Sequence, residues 1–316
     1  MIAPITSLML PIITKHFLDE LDLQDQVFPR AFNVDTISDA YVQTQSFVGY
    51  QPLEKRERLA PVFHSEAAAS FALRIPMDNY GICDIFAMED IQDRLFEQLS
   101  QLYPRTGGGF ARASSQTMEI QASNYLISQF STVLTSNYVT ADGLPLFGVK
   151  QHPISSSSTA TYTTSPTIPM DISYAALKFA TTVLENQSTS SGAGYIKNYP
   201  KKLIFHPNSR FEAKLVLDGE YEPNTANRNK NYIKEMNIEP VSWAYFKISG
   251  AAGSLNNANN AWVLLGDTNH LNMYIRENFS MKSESVLSNN SQVVYGHSRF
   301  GFGVPDSRGI VGSAGL

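Results

Sequence analysis

The sequence predicts an α+β chain, on three observations. Segments of alternating apolar and polar residues gather toward the two ends. Helical stripes of apolar residues lie between them. Several segments also carry more apolar surface than they can bury by themselves, including one long two-stranded ribbon.

The elements follow in order. Residues 1–40 begin "MIAPITSLMLPIITKHF" and carry prolines at 4, 11 and 29. The stretch is apolar, has no basic leading region and is interrupted by Pro4 and Pro11, so it reads as an extended arm that docks on other surfaces, not as a signal peptide. Residues 41–85 read as two extended halves around "LEKRERL" (53–59), where five charges run from Glu54 to Arg58. That is a long hairpin with a charged tip. In "MEDIQDRLFEQLSQLYP", Ile91, Leu95, Leu99 and Leu102 share one helical face, and Pro104 is expected to end the helix. "RTGGGF" (105–110) reads as a flexible joint. From about Ala111 to Asn137, Met118, Ala122, Tyr125, Leu126, Val133 and Leu134 form one stripe with no proline or glycine between. Such a helix would run roughly 40 Å.

"TADGLPLFGVKQHP" (140–153) places Asp142 beside Gly143 and His152 before Pro153. "SSSSTATYTTSPTIP" (155–169) has no period and reads as a surface loop. "ISYAALKFATTVLENQ" returns to helix, with Ser173 as its N-cap and Leu177, Ala180 and Leu184 on one face. "KKLIFHP" reads as a buried strand, "NSRFEAKLVLD" as a helix, "NIEPVSWAYF" and "AWVLLGD" as strands around a Gly/Asn-rich loop. The last alternating stretch, from "NMYIRENF" onward, reads as strands of one sheet.

Composition narrows the function. Hydrophobic residues make up 43% of the chain and the formal charge is −5. A dedicated nucleic-acid binder would need a basic stripe to neutralise phosphates, so that class is disfavoured. The single cysteine, Cys83, rules out an intrachain disulfide and any cysteine-rich zinc site. No run of about 18 apolar residues is present, so no membrane span is expected. "NQS", "NFS" and "NNS" match the glycosylation pattern by chance where no secretion signal is read.

No motif supplies catalysis. The glycines at 107–109 lack the Gly-Lys-Ser/Thr ending of a phosphate loop. The six histidines (16, 64, 152, 206, 270, 297) include no pair at H-E-x-x-H spacing. His152 and His206 precede proline and read as turn residues. There is no G-x-S-x-G elbow. Cys83, among apolar neighbours in "YGICDIF", reads as a small core residue. Glu89 and Asp90 suit a helix start. The run Glu54, Lys55, Arg56, Glu57 and Arg58 fits either a solvated loop tip or a set of inter-subunit contacts. No catalytic, cofactor-binding or metal-binding residue is expected.

Six segments, in order, resemble the tailed-phage major capsid proteins of the Hong Kong phage fold, in the subgroup resembling the major head subunit of Mu-like phages. "MDNYGICDIFAMEDIQDRL" resembles the passage from hairpin to helices, and "ASSQTMEIQASNYLISQF" the spine helix. "ADGLPLFGVKQHP" resembles the segment leaving that helix. "KKLIFHPNSRFEAKLVLDGEYEPNTANRNKNYI" resembles a strand, helix and loop unit. "WVLLGDTNHLNMYIRENF" and "RFGFGVPDSRGIVGS" resemble the closing strands and terminal signature. The resemblance covers roughly residues 40–316. The chain departs from it at Ser307, where subgroup members often carry tryptophan.

The resemblance implies an N-terminal arm over 1–40, an extended loop over 41–85 that overlaps a neighbouring subunit, and a peripheral domain with the spine helix over 86–165. It implies an axial domain over 166–275 and strands returning to the peripheral sheet over 276–316. It further implies a shell of hexamers and pentamers assembled in the host cytoplasm around double-stranded DNA, which is touched only non-specifically. A portal protein and decoration proteins are expected partners, and either a separate scaffolding protein directs assembly or none is needed. No fused scaffold segment is read before the arm. Lys55 is placed for the lysine–asparagine crosslink of some relatives, although the sequence shows no partner or activating carboxylate. The competing readings are an encapsulin-type nanocompartment and a soluble hydrolase. The latter would need convergent titratable groups that no motif supplies.

Overall fold

The computed structural model describes residues 3–89, 96–131, 140–148, 151–223, 229–247, 260–286, 288 and 290–315. Some expected features lie outside the described residues: Ile91 and Leu95, Val133 and Leu134 with the turns to Asn137, and the centres of the 224–228 and 251–259 loops.

Two four-stranded sheets organise the chain. The first has the order β1 (Asn33–Thr36), β10 (Asn272–Val286), β11 (Ser291–Gly303), β4 (Asp78–Ala87). β10 and β11 form its long antiparallel hairpin, with register shifts on either side of Glu277, and β1 adds in parallel at the β10 edge. The second has the order β12 (Ile310–Ser313), β9 (Trp262–Gly266), β7 (Pro200–Phe205), β8 (Glu239–Ser242). The closing strand thus joins the second sheet, not the first, while 276–303 run in the first.

The second sheet is buried on both faces, so its strands read as apolar runs without alternation. On β7, Leu203 and Phe205 face one cluster and Ile204 the other. On β9, Trp262 and Leu264 oppose Val263 and Leu265 in the same way. One face is covered by α4 (Tyr174–Glu185) and α5 (Arg210–Asp218). Ser173 caps α4 as expected, its hydroxyl accepting from the Ala176 N–H at 3.2 Å. The other face meets α3 (Phe96–Ser128) through Met118, Ala122, Tyr125 and Leu126, which also touch Phe300 and Phe302 of the first sheet.

Three sequence expectations are overturned. Residues Ala3–Leu21 form a helix, α1, where an extended arm was expected, and Phe28–Ala31 form a short second one, α2. Pro11 sits inside α1, where proline removes a hydrogen bond and normally costs about 3 kcal/mol. Met9, Ile13 and Phe17, each four residues apart, are fully or almost fully buried against Phe86, Tyr103, Phe110 and Val294, and this packing offsets the break.

Second, α3 runs without interruption for 33 residues, about 50 Å. Pro104 does not end it and the triple glycine is not a joint. Gly107 explains why: a Cβ placed there would lie 2.5 Å from the Ile13 carbonyl oxygen and 3.1 Å from the His16 Cβ. The glycine lets α1 and α3 approach backbone to backbone, which no side chain permits. Third, Cys83 is exposed on β4, the outer strand of the first sheet, not buried.

The expected hairpin forms from β2 (Tyr41–Val48) and β3 (Ala68–Pro76), paired from Tyr41↔Pro76 to Val48↔Ala68. Its strands end sooner than residue 85, because 78–87 already belong to β4. A two-stranded ribbon, β5 (Gln151–Pro153) with β6 (Thr161–Thr163), runs through the region read as surface loop.

The glycine argument predicts opposite signs at neighbouring positions. Gly107→Ala is expected to destabilise by roughly 1–3 kcal/mol through overpacking. Gly109→Ala, whose Cβ would meet nothing within 4 Å, is expected to stabilise by roughly 0.5–1 kcal/mol through helix propensity. Urea denaturation midpoints of the two variants check this.

Candidate functional site

The hairpin is the most exposed element. From Gln51 to Leu59 every residue is exposed, with Leu53 at 101% and Leu59 at 90% relative accessibility. Glu54, Lys55, Arg56, Glu57 and Arg58, the residues singled out in the sequence, are brought together here on one solvent-facing turn. The turn is built: Ala60 N–H donates to the Glu57 carbonyl at 3.2 Å, Arg56 Nε donates to the Ala60 carbonyl at 2.5 Å, and Leu59 sits at φ 68°. A leucine in that left-handed region is uncommon and costs about 1–2 kcal/mol. None of the five charged side chains makes an ion pair with a described residue.

The paired strands of the hairpin are packed on the body from root to tip end. Leu73, Ile75 and Met77 cluster with Tyr274, while the Ser156 N–H donates to Ser70 Oγ and the Gly49 N–H donates to Ser190 Oγ. Beneath the ribbon lies a polar cavity of about 80 Å³ walled by Ser46 and Ser70 of the hairpin and by Asp142, Tyr162, Asp306 and Arg308. Here "TADGLPLFGVKQHP" shows its geometry. Gly143 turns the chain at φ 73°, and Asp142 Oδ1 accepts from the Leu144 N–H at 3.1 Å, closing an Asx turn. Asp142 Oδ2 lies 2.5 Å from Nδ1 of His152, which is fully buried. The other ring nitrogen is 3.1 Å from the Leu146 carbonyl. A carbonyl only accepts, so Nε2–H donates to it, and the proton of the second contact lies between imidazole and carboxylate. His152 is therefore the centre of a buried clamp on its own segment, beyond the turn role read from its proline neighbour.

Arg308 completes the cluster. Its guanidinium donates to Asp306 at 2.9 Å and to the carbonyls of Ser188 and Ile154 at 2.9 and 2.7 Å, and it lies over the Tyr162 ring. Tyr162 hydroxyl bonds Ser307 Oγ, so this serine has a buried partner of its own. Burial pushes the Tyr162 hydroxyl well above the ordinary range, with the Asp306 charge next in importance; the Ser307 bond and Arg308 oppose. Tyr125 is raised by burial alone.

A second buried carboxylate went unseen in the sequence. Glu119, in mid-helix on α3, accepts from the backbone N–H groups of Val27 and Phe28 at 2.5 and 3.0 Å and from Trp243 Nε1 at 2.5 Å. Nothing in its local sequence marks it, because its donors lie more than 90 residues away. The carboxylates, histidines and arginine of these sites serve hydrogen bonding within the chain. Among the described residues no group of three His, Cys, Asp or Glu could hold a metal ion, and no helix is long and apolar enough to cross a membrane.

Neither a protein-family model nor a curated protein matches the sequence. Solved structures match the fold. The chain is similar to the capsid of cyanophage P-SCSP1u (TM-score 0.53, 12% identity, 92% of this chain and 88% of that one). It is similar to the capsid of a native GTA particle (TM-score 0.54, 12% identity, 90% and 88%) and to the mature capsid of bacteriophage PhiM1 (TM-score 0.52, 11% identity, 92% and 86%). The α+β architecture, with its long helix and hairpin, is that of the Hong Kong phage capsid fold.

Two measurements follow. His152→Ala strips a buried carboxylate of its partner and is expected to cost roughly 3–5 kcal/mol. Glu119→Gln sets an amide donor against N–H donors and is expected to cost roughly 1.5–3 kcal/mol. Both are read from urea denaturation. A tyrosine whose pKa is raised on folding contributes stability that is full below the unfolded value of roughly 10 and is lost as pH rises through the folded value. An alkaline titration followed by tyrosinate absorbance should therefore show Tyr125 and Tyr162 ionising only together with loss of the fold.

Proposed function

We propose that the chain is the major capsid protein of a tailed phage or a related particle, and that copies of it tile into hexamers and pentamers around double-stranded DNA. The observation that carries this reading is the hairpin. A built, fully exposed tip ends a ribbon packed on its own body, in a chain with the capsid fold. Beyond Gln51, which donates to the Ser191 carbonyl at 3.3 Å, the tip makes no described hydrogen bond or ion pair to the rest of its subunit, and it fits contact with a neighbour. The exposed Phe211 (83%) and Leu215 on α5 add a second unburied apolar surface. The six motifs quoted above support the Mu-like subgroup. In this reading 41–76 form the overlapping loop, α3 is the spine, and the second sheet with α4 and α5 forms the axial domain. The negative net charge fits an inner wall that packaged DNA touches without sticking. A portal, a separate scaffold and decoration proteins complete the proposal, and the assembled chain resides in the virion.

Electron microscopy of the purified chain is expected to show closed icosahedral shells or capsomer rings. A monodisperse monomer at high concentration overturns the reading. Shells boiled in detergent are expected to run as a single band near 35 kDa, and a ladder of multiples would show that Lys55 crosslinks.

A further inference from the structure

The end of α1 is electrostatically uncovered. Asp19, Glu20, Asp22 and Asp25 crowd the last turn and the residues after it, and the last turn holds no basic residue. The C-terminus of a helix carries about half a negative charge of its own, so acids there repel the dipole as well as each other. Arg112 reaches Glu20 at 3.7 Å. Asp19, Asp22 and Asp25 are exposed and make no ion pair with a described residue. Lys15 lies one turn before Asp19, the weaker order for a helical pair. The same surface exposes two large apolar side chains, Leu18 at 53% and Leu23 at 77%. The face is thus apolar, surplus in negative charge and without an intrachain cover.

The hairpin tip has the complementary character. Leu53 and Leu59 project into solvent, and the strained turn at Leu59 holds that side chain outward. Lys55, Arg56 and Arg58 outnumber Glu54 and Glu57, so the tip is surplus in positive charge. Both surfaces are mixed in sign with opposite balance. Glu54 and Glu57 therefore have Lys15 and Arg112 to face, as the tip cations have the aspartates.

We infer that the tip of one copy docks on the C-terminal turn of α1 in a second copy, Leu53 and Leu59 against Leu18 and Leu23, Lys55 and Arg58 against Asp19 and Asp22. The inference rests on the proposed shell function and names where the hairpin lands. It gives the strained tip and the acid-rich helix end one cause: each is half of a contact completed only between subunits. Complementary charge at such a rim sets register and encounter rate more than raw affinity.

The test is a charge swap in the full-length chain. Lys55→Glu with Arg58→Glu, and separately Asp19→Lys with Asp22→Lys, are each expected to raise the protein concentration needed for shell formation by about tenfold or more. Carrying all four substitutions is expected to restore assembly to near the unsubstituted level. The positions are exposed, so circular dichroism of the unassembled variants should match the parent. In a Cys83→Ser background, Leu23→Cys with Leu59→Cys is expected to give disulfide-linked multimers on non-reducing gels of assembled particles. Shells that form equally well with either half reversed, a four-fold variant no better than its parents, or the absence of linked multimers overturns the docking while leaving shell assembly intact. Failure of the unsubstituted chain to form shells strikes the proposed function instead.

Discussion

A single buried carboxylate sets the relation between the parts. Glu119 sits in the middle of a 33-residue helix with no described cation to pair with. It is held instead by three N–H donors from two distant stretches, the 27–28 backbone and the Trp243 indole. An ionised group taken from water persists only where donors replace its hydration. The helix can therefore occupy one rotation and one depth against the second sheet. The chain arriving from α1 must enter β1 at a fixed point. Around this bond lies an aromatic cluster, Phe32 against Tyr125, Trp243 and Phe302, whose edge and stacked contacts fill the space between helix and sheets.

The same economy recurs at the junction below the hairpin. Asp142, Asp306 and Arg308 line one small cavity, His152 backs Asp142, and each of the four is also bonded to main chain. Buried charges arranged this way contribute little net stability against an apolar alternative, yet are costly to break singly. Their effect is geometric. They hold residues 140–154 and the 188–190 turn together beneath the hairpin, so the ribbon lies on the body in a defined direction.

How far this was legible in the sequence depends on the range of the forces. The Ser173 cap, the stripe of Leu177, Ala180 and Leu184 and the apolar strands β7 and β9 follow from local pattern and stand where the pattern put them, and the hairpin forms but ends at Pro76. The capsid fold came from six weak motifs in order, which composition alone could not supply. The two helical misreadings share one source. Pro4, Pro11, Pro104 and the glycines at 107–109 are local breakers, and their local costs were overruled by contact between α1 and α3, segments some 90 residues apart. Glycine there shortens the distance between two helices instead of loosening one. The periodic Met9, Ile13 and Phe17 were the available sign that the first segment is helical. The partners of Glu119 were invisible for the same reason: burial and pairing across the chain leave no mark on neighbouring residues. The five charges from Glu54 to Arg58 were found as a group, and the structure sets them on one exposed segment.

Cys83 was misread as core and lies in the open on an outer strand. As the only thiol in the sequence, it gives each copy one chemically distinct handle at a known place on a rigid sheet. A maleimide dye would mark every subunit once and at the same spot, turning reagent stoichiometry into a direct count of how many faces remain reachable as copies come together.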